Sequence, residues 1–135
     1  MIFNYIGNYS LIISVIISLT IFFLSISSLQ KINFQKRIYL NKLNFFQFFF
    51  VLVSFFSLIV LFVLSEFSNI TVFNNSHTTK SLFYKISGTW GNHEGSLLLW
   101  LLILTLSLFL YFLSSKSRPI KERLLTLIFQ EVIII

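Results

Sequence analysis

No cysteine occurs anywhere in this sequence, which excludes a disulfide framework, a thiolate nucleophile and any cysteine-based metal site. Alanine is also missing, proline occurs once, and charged residues make up only 10% of the chain. Soluble globular domains carry about 25% charged residues, so that class is excluded too. What fills the 135 residues instead is apolar: 56% are hydrophobic, 18 are phenylalanine, and the mean hydropathy is +0.90. Heavy use of Phe, Ile, Asn and Lys resembles the output of an AT-rich genome. No basic segment precedes the first apolar run and no small-residue cleavage site follows it, so a removable signal peptide is not expected.

Three uncharged runs, Ser10 to Leu29, Phe45 to Leu64 and Ser96 to Leu113, have about the 20-residue length that crosses a hydrocarbon core. The expected fold is an all-α integral membrane protein with three transmembrane helices, at about 10–29, 45–64 and 96–113. Serines and Thr20 in the first run are expected to return their hydroxyl bonds to the helix backbone and to let a neighbouring helix approach closely. A fourth apolar run, 124–135, is too short. Twelve helical residues reach about 18 Å against about 30 Å of hydrocarbon, and the run carries Gln130 and Glu131. It either lies in the interface or is a truncated, partial fourth helix. Pro119 favours a break before it.

Between the second and third runs lies a mostly polar loop, 65–95. Within it Ile70 to Phe73 reads as a short strand and Ser81 to Ile86 as a turn of interfacial helix. Charge placement orients the chain. Lys31, Lys36, Arg37 and Lys42 fall in one connection and Lys116, Arg118, Lys121 and Arg123 in another, while the long loop holds only Lys80 and Lys85. The positive-inside rule then puts the basic connections on the cytoplasmic or matrix side. The N-terminus and loop 65–95 go to the periplasmic or intermembrane-space side. Flanking spans as they do, the basic clusters are explained by topology, and no nucleic-acid partner is expected.

The stretch Gly88 to Trp100, GTWGNHEGSLLLW, holds both tryptophans, three of the four glycines and one of the two histidines. It lies where the outer loop enters the third span. Trp90 reads as an interfacial belt residue; Trp100, about 15 Å further along a helix, reads as a packing or functional residue. Gly91 and Gly95 have the small-xxx-small spacing that admits close approach. Asn92 or Ser96 would cap the helix, and Glu94 would favour its positive end. His93 and Glu94 are adjacent and do not face each other on a helix, so they form no relay dyad. No HExxH spacing exists, and no metal site is expected. His93 keeps two readings, a structural or partner contact and an axial haem ligand or propionate donor; His77 reads as solvated. Asn8, Asn69 and Asn74 open chance matches to the glycosylation pattern. No phosphate loop, dinucleotide fingerprint or triad order occurs.

GTWGNHEGSLLLW resembles the WGxHEGSLLLW signature of the CcmF cytochrome c haem lyase family, including its nitrite-reductase-pathway relatives. The match is ungapped over Trp90, Gly91, His93, Glu94, Gly95, Ser96, Leu97, Leu98, Leu99 and Trp100. Ile6-Gly7-Asn8, the outer loop Phe67 to Tyr84 and the order of helices are similar too. The resemblance implies an N-terminal membrane domain of CcmF type over 1–135, in the mitochondrial or bacterial inner membrane. Split genes in plant and protist mitochondria give a natural setting. It implies haem as cofactor, bound mainly by tryptophan-rich and histidine-bearing parts that this sequence does not contain. It implies as partners the remaining CcmF portions and the proteins that handle haem and apocytochrome c. Such a piece is not expected to be catalytic alone. No haem ligand transfers by position; Trp90, His93, Glu94 and Trp100 are the candidate cofactor-site residues. The alternative from another class is a small accessory subunit of a respiratory or other membrane complex, in which the motif serves packing alone.

Overall fold

The computed structural model describes residues 2–30, 34–115 and 118–134; Lys31 and Lys116 of the two basic connections, and Ile135 at the end of the last run, lie outside them. Six helices follow in chain order: α1 (Ile2–Gln30), α2 (Phe34–Leu64), α3 (Ile70–Asn75), α4 (Leu82–Gly88), α5 (His93–Ser114) and α6 (Ile120–Ile134). No strand occurs among the described residues. Among the described residues three stretches are long and apolar enough to cross a membrane, Ile2–Leu29, Ile38–Leu64 and His93–Ser114. The protein is therefore an all-α membrane protein, as its composition requires.

The first two spans begin earlier than their uncharged runs. Isolated polar residues such as Asn4 and Asn8 do not end a helix whose neighbours are Ile, Phe and Leu. Residues 34–44, read as part of a polar connection, are helical. At its far end α2 stops in a Schellman turn: Glu66 N donates to Leu61 O (3.0 Å) and Ser65 N to Phe62 O (3.2 Å), with Ser65 in the left-handed region at φ 54°. Ile70 to Phe73 is not a strand. Asn69 Oδ1 accepts from Thr71 N and Val72 N and starts α3, and no neighbouring strand exists there to reward extension. Ser81 to Ile86 falls on α4, as expected.

The packing inverts the soluble pattern. On α1 the buried residues are Ser10, Ser14, Ser18, Ile21, Ser25 and Ser28, spaced three or four apart along one face. On α2 they include Leu40, Asn44, Gln47, Val51, Ser54 and Ser57. Many Phe, Ile and Leu side chains, among them Ile12, Ile16, Phe23, Phe46, Phe49 and Phe56, point outward instead, where lipid is an equally good solvent for them. Association in lipid depends on close backbone approach and hydrogen bonds rather than on hiding apolar surface, and small side chains permit that approach. Ser10, Ser14, Thr20 and Ser28 return their hydroxyls to backbone carbonyls three or four residues back. Ser57 Oγ crosses to the carbonyl of Phe3, which joins the end of α2 to the start of α1.

α1 and α2 form the main antiparallel pair. α5 packs on α2, and α6 packs on α1 and α5. The N-terminal end of α1, α3, α4 and the start of α5 thus share one end of the bundle. The start of α2, the end of α5 and the start of α6 share the other. Pro119 precedes α6, which runs 15 residues, about 22 Å. Ile21, Leu40, Leu108, Phe112, Leu124 and Leu127 make the core at the basic end. Arg123 is drawn into it: Nη2 donates to Phe112 O (3.2 Å) and the guanidinium lies 4.6 Å from the Phe112 ring centroid. Arg123 is therefore part of a buried helix contact and not of a solvated basic connection.

Ser14 is 3% exposed and Ile16 is 55% exposed. Ser14→Leu is expected to lower stability by about 1–3 kcal/mol through overpacking, whereas Ile16→Leu changes little. Thermal unfolding of the two detergent-solubilised variants checks this.

Candidate functional site at the start of the third span

Helix α5 begins where a polar connection must turn into an apolar rod, and one side chain makes that turn. Asn92 has extended backbone (φ −113°, ψ 166°) and caps α5: its Oδ1 accepts from Gly95 N at 2.7 Å, and its carbonyl accepts from Ser96 N at 3.0 Å. Its Nδ2 donates backward to Gly88 O (2.8 Å) and Thr89 O (3.1 Å) at the end of α4. One amide thus satisfies orphan groups of two helices at once. Of the two capping candidates, Asn92 is the cap; Ser96 Oγ instead donates to His93 O (2.8 Å).

The clamp brings the Thr89 carbonyl against Gly95. A methyl group built at Gly95 would lie 1.6 Å from Thr89 O and 2.8 Å from its carbonyl carbon. Only glycine fits there. Gly91 differs: it lies in the turn before α5, so Gly91 and Gly95 do not form a helical small-xxx-small face, and the nearest atom to a Cβ at Gly91 is Ser87 O at 3.3 Å. The glycines serve a tight turn rather than a helix-dimer seam. Gly88 lies against the fully buried Phe62, seating α4 on the end of α2.

His93 and Glu94 are the first two residues of α5, both exposed, and helical geometry separates their side chains by about 100°. Glu94 sits in the first turn, where the helix dipole favours an anion. Its carboxylate lines two adjoining cavities. One, about 190 Å³, sets the side chains of Asn4, Asn8, Ser54, Ser57, Asn69 and Thr71 among leucines of α1, α2 and α5. The second, about 460 Å³, is an apolar groove running past Leu97, Leu98, Trp100 and Leu104 to Ile133. Glu94 and Trp100 are therefore brought together, with Trp100 65% exposed along the groove. Trp90, 42% exposed, and His93 line neither cavity. Trp90 lies in the turn, so the spacing of the two tryptophans is not that of one continuous helix. His77 is exposed beside Phe67, Phe73 and Thr78.

Sequence reasoning missed the asparagines that complete the smaller cavity. Asn69 Nδ2 donates to Asn4 Oδ1 at 2.9 Å, linking α3 to α1. Asn8 and Asn69, read only as chance glycosylation matches, are cavity walls. Their spacing from the motif gives no hint of this, because the antiparallel return of α2 creates it.

The haem implied by the resemblance was tested against these walls. Neither cavity offers an imidazole, thioether or thiolate, and the charge at both rims is a carboxylate, the wrong sign for haem propionates. No group of three or more His, Cys, Asp or Glu with metal-binding geometry occurs among the described residues. The residues lining these two cavities do not by themselves fit a haem.

No family model matches the chain, and no solved structure matches it. Curated proteins do. Over 113 residues, 84% of the chain, it is 35% identical to the cytochrome c-type biogenesis protein CcmF of Haemophilus influenzae, covering 17% of that protein. Over 60 residues, 44% of the chain, it is 57% identical to the cytochrome c-type biogenesis protein CycK of Bradyrhizobium diazoefficiens, covering 9%. Over 54 residues, 40% of the chain, it is 59% identical to CycK of Rhizobium meliloti, covering 8%. The chain spans less than a fifth of the length of these relatives.

Gly95→Ala is expected to disrupt the α4–α5 turn and lower the unfolding temperature more than Asn92→Ala. The latter loses a helix cap worth about 1–2 kcal/mol. Gly91→Ala should be the mildest of the three. A ranking with Gly91→Ala as the most damaging contradicts the clamp.

Proposed function

We propose that this chain, whose curated homologues are cytochrome c-type biogenesis proteins of the CcmF and CycK group, serves cytochrome c maturation as the N-terminal membrane part of a CcmF-type haem lyase. The observation that carries the reading is the similarity to CcmF over 84% of the chain, together with a motif whose turn is locked by Asn92 and Gly95. Nothing in the structure or the comparisons supports the alternative of an unrelated accessory subunit.

In this reading the chain sits in an inner membrane, mitochondrial or bacterial. The motif and loop 65–95 face the intermembrane space or periplasm, opposite the basic ends of the spans. The attachment of haem to apocytochrome c proceeds on that outer face. In this reading the chain acts only as one part of an assembled lyase, since it spans less than a fifth of the length of its relatives. Its role is to present a rigid helix start, with exposed His93, Glu94 and Trp100, to the remaining CcmF portions that hold the cofactor. The remaining CcmF portions, and the proteins that deliver haem and apocytochrome c, are its partners.

His93→Ala and Glu94→Ala are both exposed substitutions outside the Asn92 clamp, so the protein should still fold. Combined, they are expected to lower holocytochrome c at least tenfold, read by haem staining of membranes, with the chain still present at normal abundance. A tagged wild-type chain should co-purify with other haem lyase parts. Normal c-type cytochromes in cells lacking the chain, together with its recovery free of partners, would refute the assignment.

A further inference from the structure

The four acidic residues are all glutamates: Glu66, Glu94, Glu122 and Glu131. Glu66, Glu94 and Glu122 reach the surface, but Glu131 is 0% exposed. It projects from α6 into the α1–α2 seam, level with Ser18 near the middle of α1. Its hydrogen bonding is one-sided. Oε2 accepts from Ser18 Oγ (2.5 Å) and from Gln47 Nε2 (2.9 Å), while Oε1 is buried with no partner. On the same face of α2, Gln47 Oε1 and both amide atoms of Asn44 are also buried and unpartnered.

Among the described residues no cation pairs with this carboxyl. α1 carries as titratable side chains only Tyr5 and Tyr9, at its outer end. The described titratable side chains of α2 are Tyr39 and Lys42, those of α5 are His93, Glu94 and Tyr111, and those of α6 are Lys121, Glu122 and Arg123. None of them makes an ion pair or hydrogen bond with Glu131 among the described residues. A bare carboxylate so placed would be an uncompensated buried charge. An ionisable residue at membrane depth is also where function concentrates. The neutral acid fits the observed pattern. Its carbonyl oxygen takes both donors, and its single hydroxyl adds a donor to a seam that holds buried, unpartnered acceptor oxygens on Gln47 and Asn44.

We propose that Glu131 is a proton-binding site at membrane depth, positioned by Ser18 and Gln47 in a seam with no cation described beside it, and that its proton fastens α6 to the α1–α2 pair. Removing the proton places a charge in the seam and frees α6. The Gln130 side chain, which donates to Leu104 O on α5, then remains as the adjoining polar tie.

The test uses the full chain in lipid nanodiscs and involves no cytochrome c. The infrared spectrum at neutral pH should show a protonated-carboxyl band that is lost in E131Q. Should E131Q fail to fold, the same band must survive in the E66Q/E94Q/E122Q variant, which leaves Glu131 as its only source. The chain lacks cysteine, so L127C, on the buried face of α6, reports release of the helix through maleimide labelling. The exposed K121C normalises for thiol ionisation. Normalised labelling of L127C should rise as alkaline pH removes the band, and E131Q should abolish that rise. Absence of the band at neutral pH, its persistence in E131Q, or labelling that does not follow it would overturn the proposal.

Discussion

Close approach of backbones within lipid is the constraint on which this structure rests. Lipid tails solvate Phe, Ile and Leu as well as any protein interior does, so apolar surface gives two helices little reason to meet. The chain resolves this by placing serines where a soluble helix would place leucines. Ser14, Ser18, Ser25 and Ser28 let α2 and α6 come close to α1, and most of the hydroxyls of that helix are spent on its own carbonyls. The pair so formed fixes everything else. It brings the start of α1 to the end of α2, and with them Asn4, Asn8 and Asn69 to the mouth of α5.

A second, local constraint acts where α5 begins. A helix that starts at a membrane surface must satisfy its first N–H groups without ready help from bulk water on every side. Asn92 does so while also holding the end of α4, and the turn is then so tight that Gly95 has no room for a side chain. The part of the motif that looks chemical, His93 and Glu94, is exposed and free to meet partners. The glycines and Asn92 provide the scaffold that aims it. The chain spans less than a fifth of the length of its curated relatives.

Much of this was legible in the sequence. Spans appear as uncharged runs because lipid tolerates few charges, and the cap at Asn92 and the helical turn after Ser81 follow from local chemistry. The family resemblance rested mainly on ten residues of one motif, with weaker likeness at Ile6-Gly7-Asn8 and over Phe67 to Tyr84, and the similarity to CcmF over 113 residues agrees with it. Local signals failed where tertiary contact decided. Ile70-Thr-Val-Phe is a strand by composition, yet it becomes a helix because Asn69 caps it and no partner strand exists. Gly91 and Gly95 look like a dimer seam until the turn separates them. Glu131 reads as a reason against a complete fourth span, whereas the bundle closes around it; nothing local to residue 131 names Ser18 or Gln47 as neighbours. Arg123, counted as a topology charge, is buried on Phe112 for the same reason.

The central claim is that the motif and the basic helix ends stand on opposite sides of one membrane. Because the chain has no cysteine, single H93C and K121C variants in sealed inner-membrane vesicles, treated with a membrane-impermeant maleimide, test it directly. The account predicts that one variant is labelled in intact vesicles and the other only after permeabilisation, with H93C reacting from the periplasmic or intermembrane-space side. Labelling of both from the same side would contradict it.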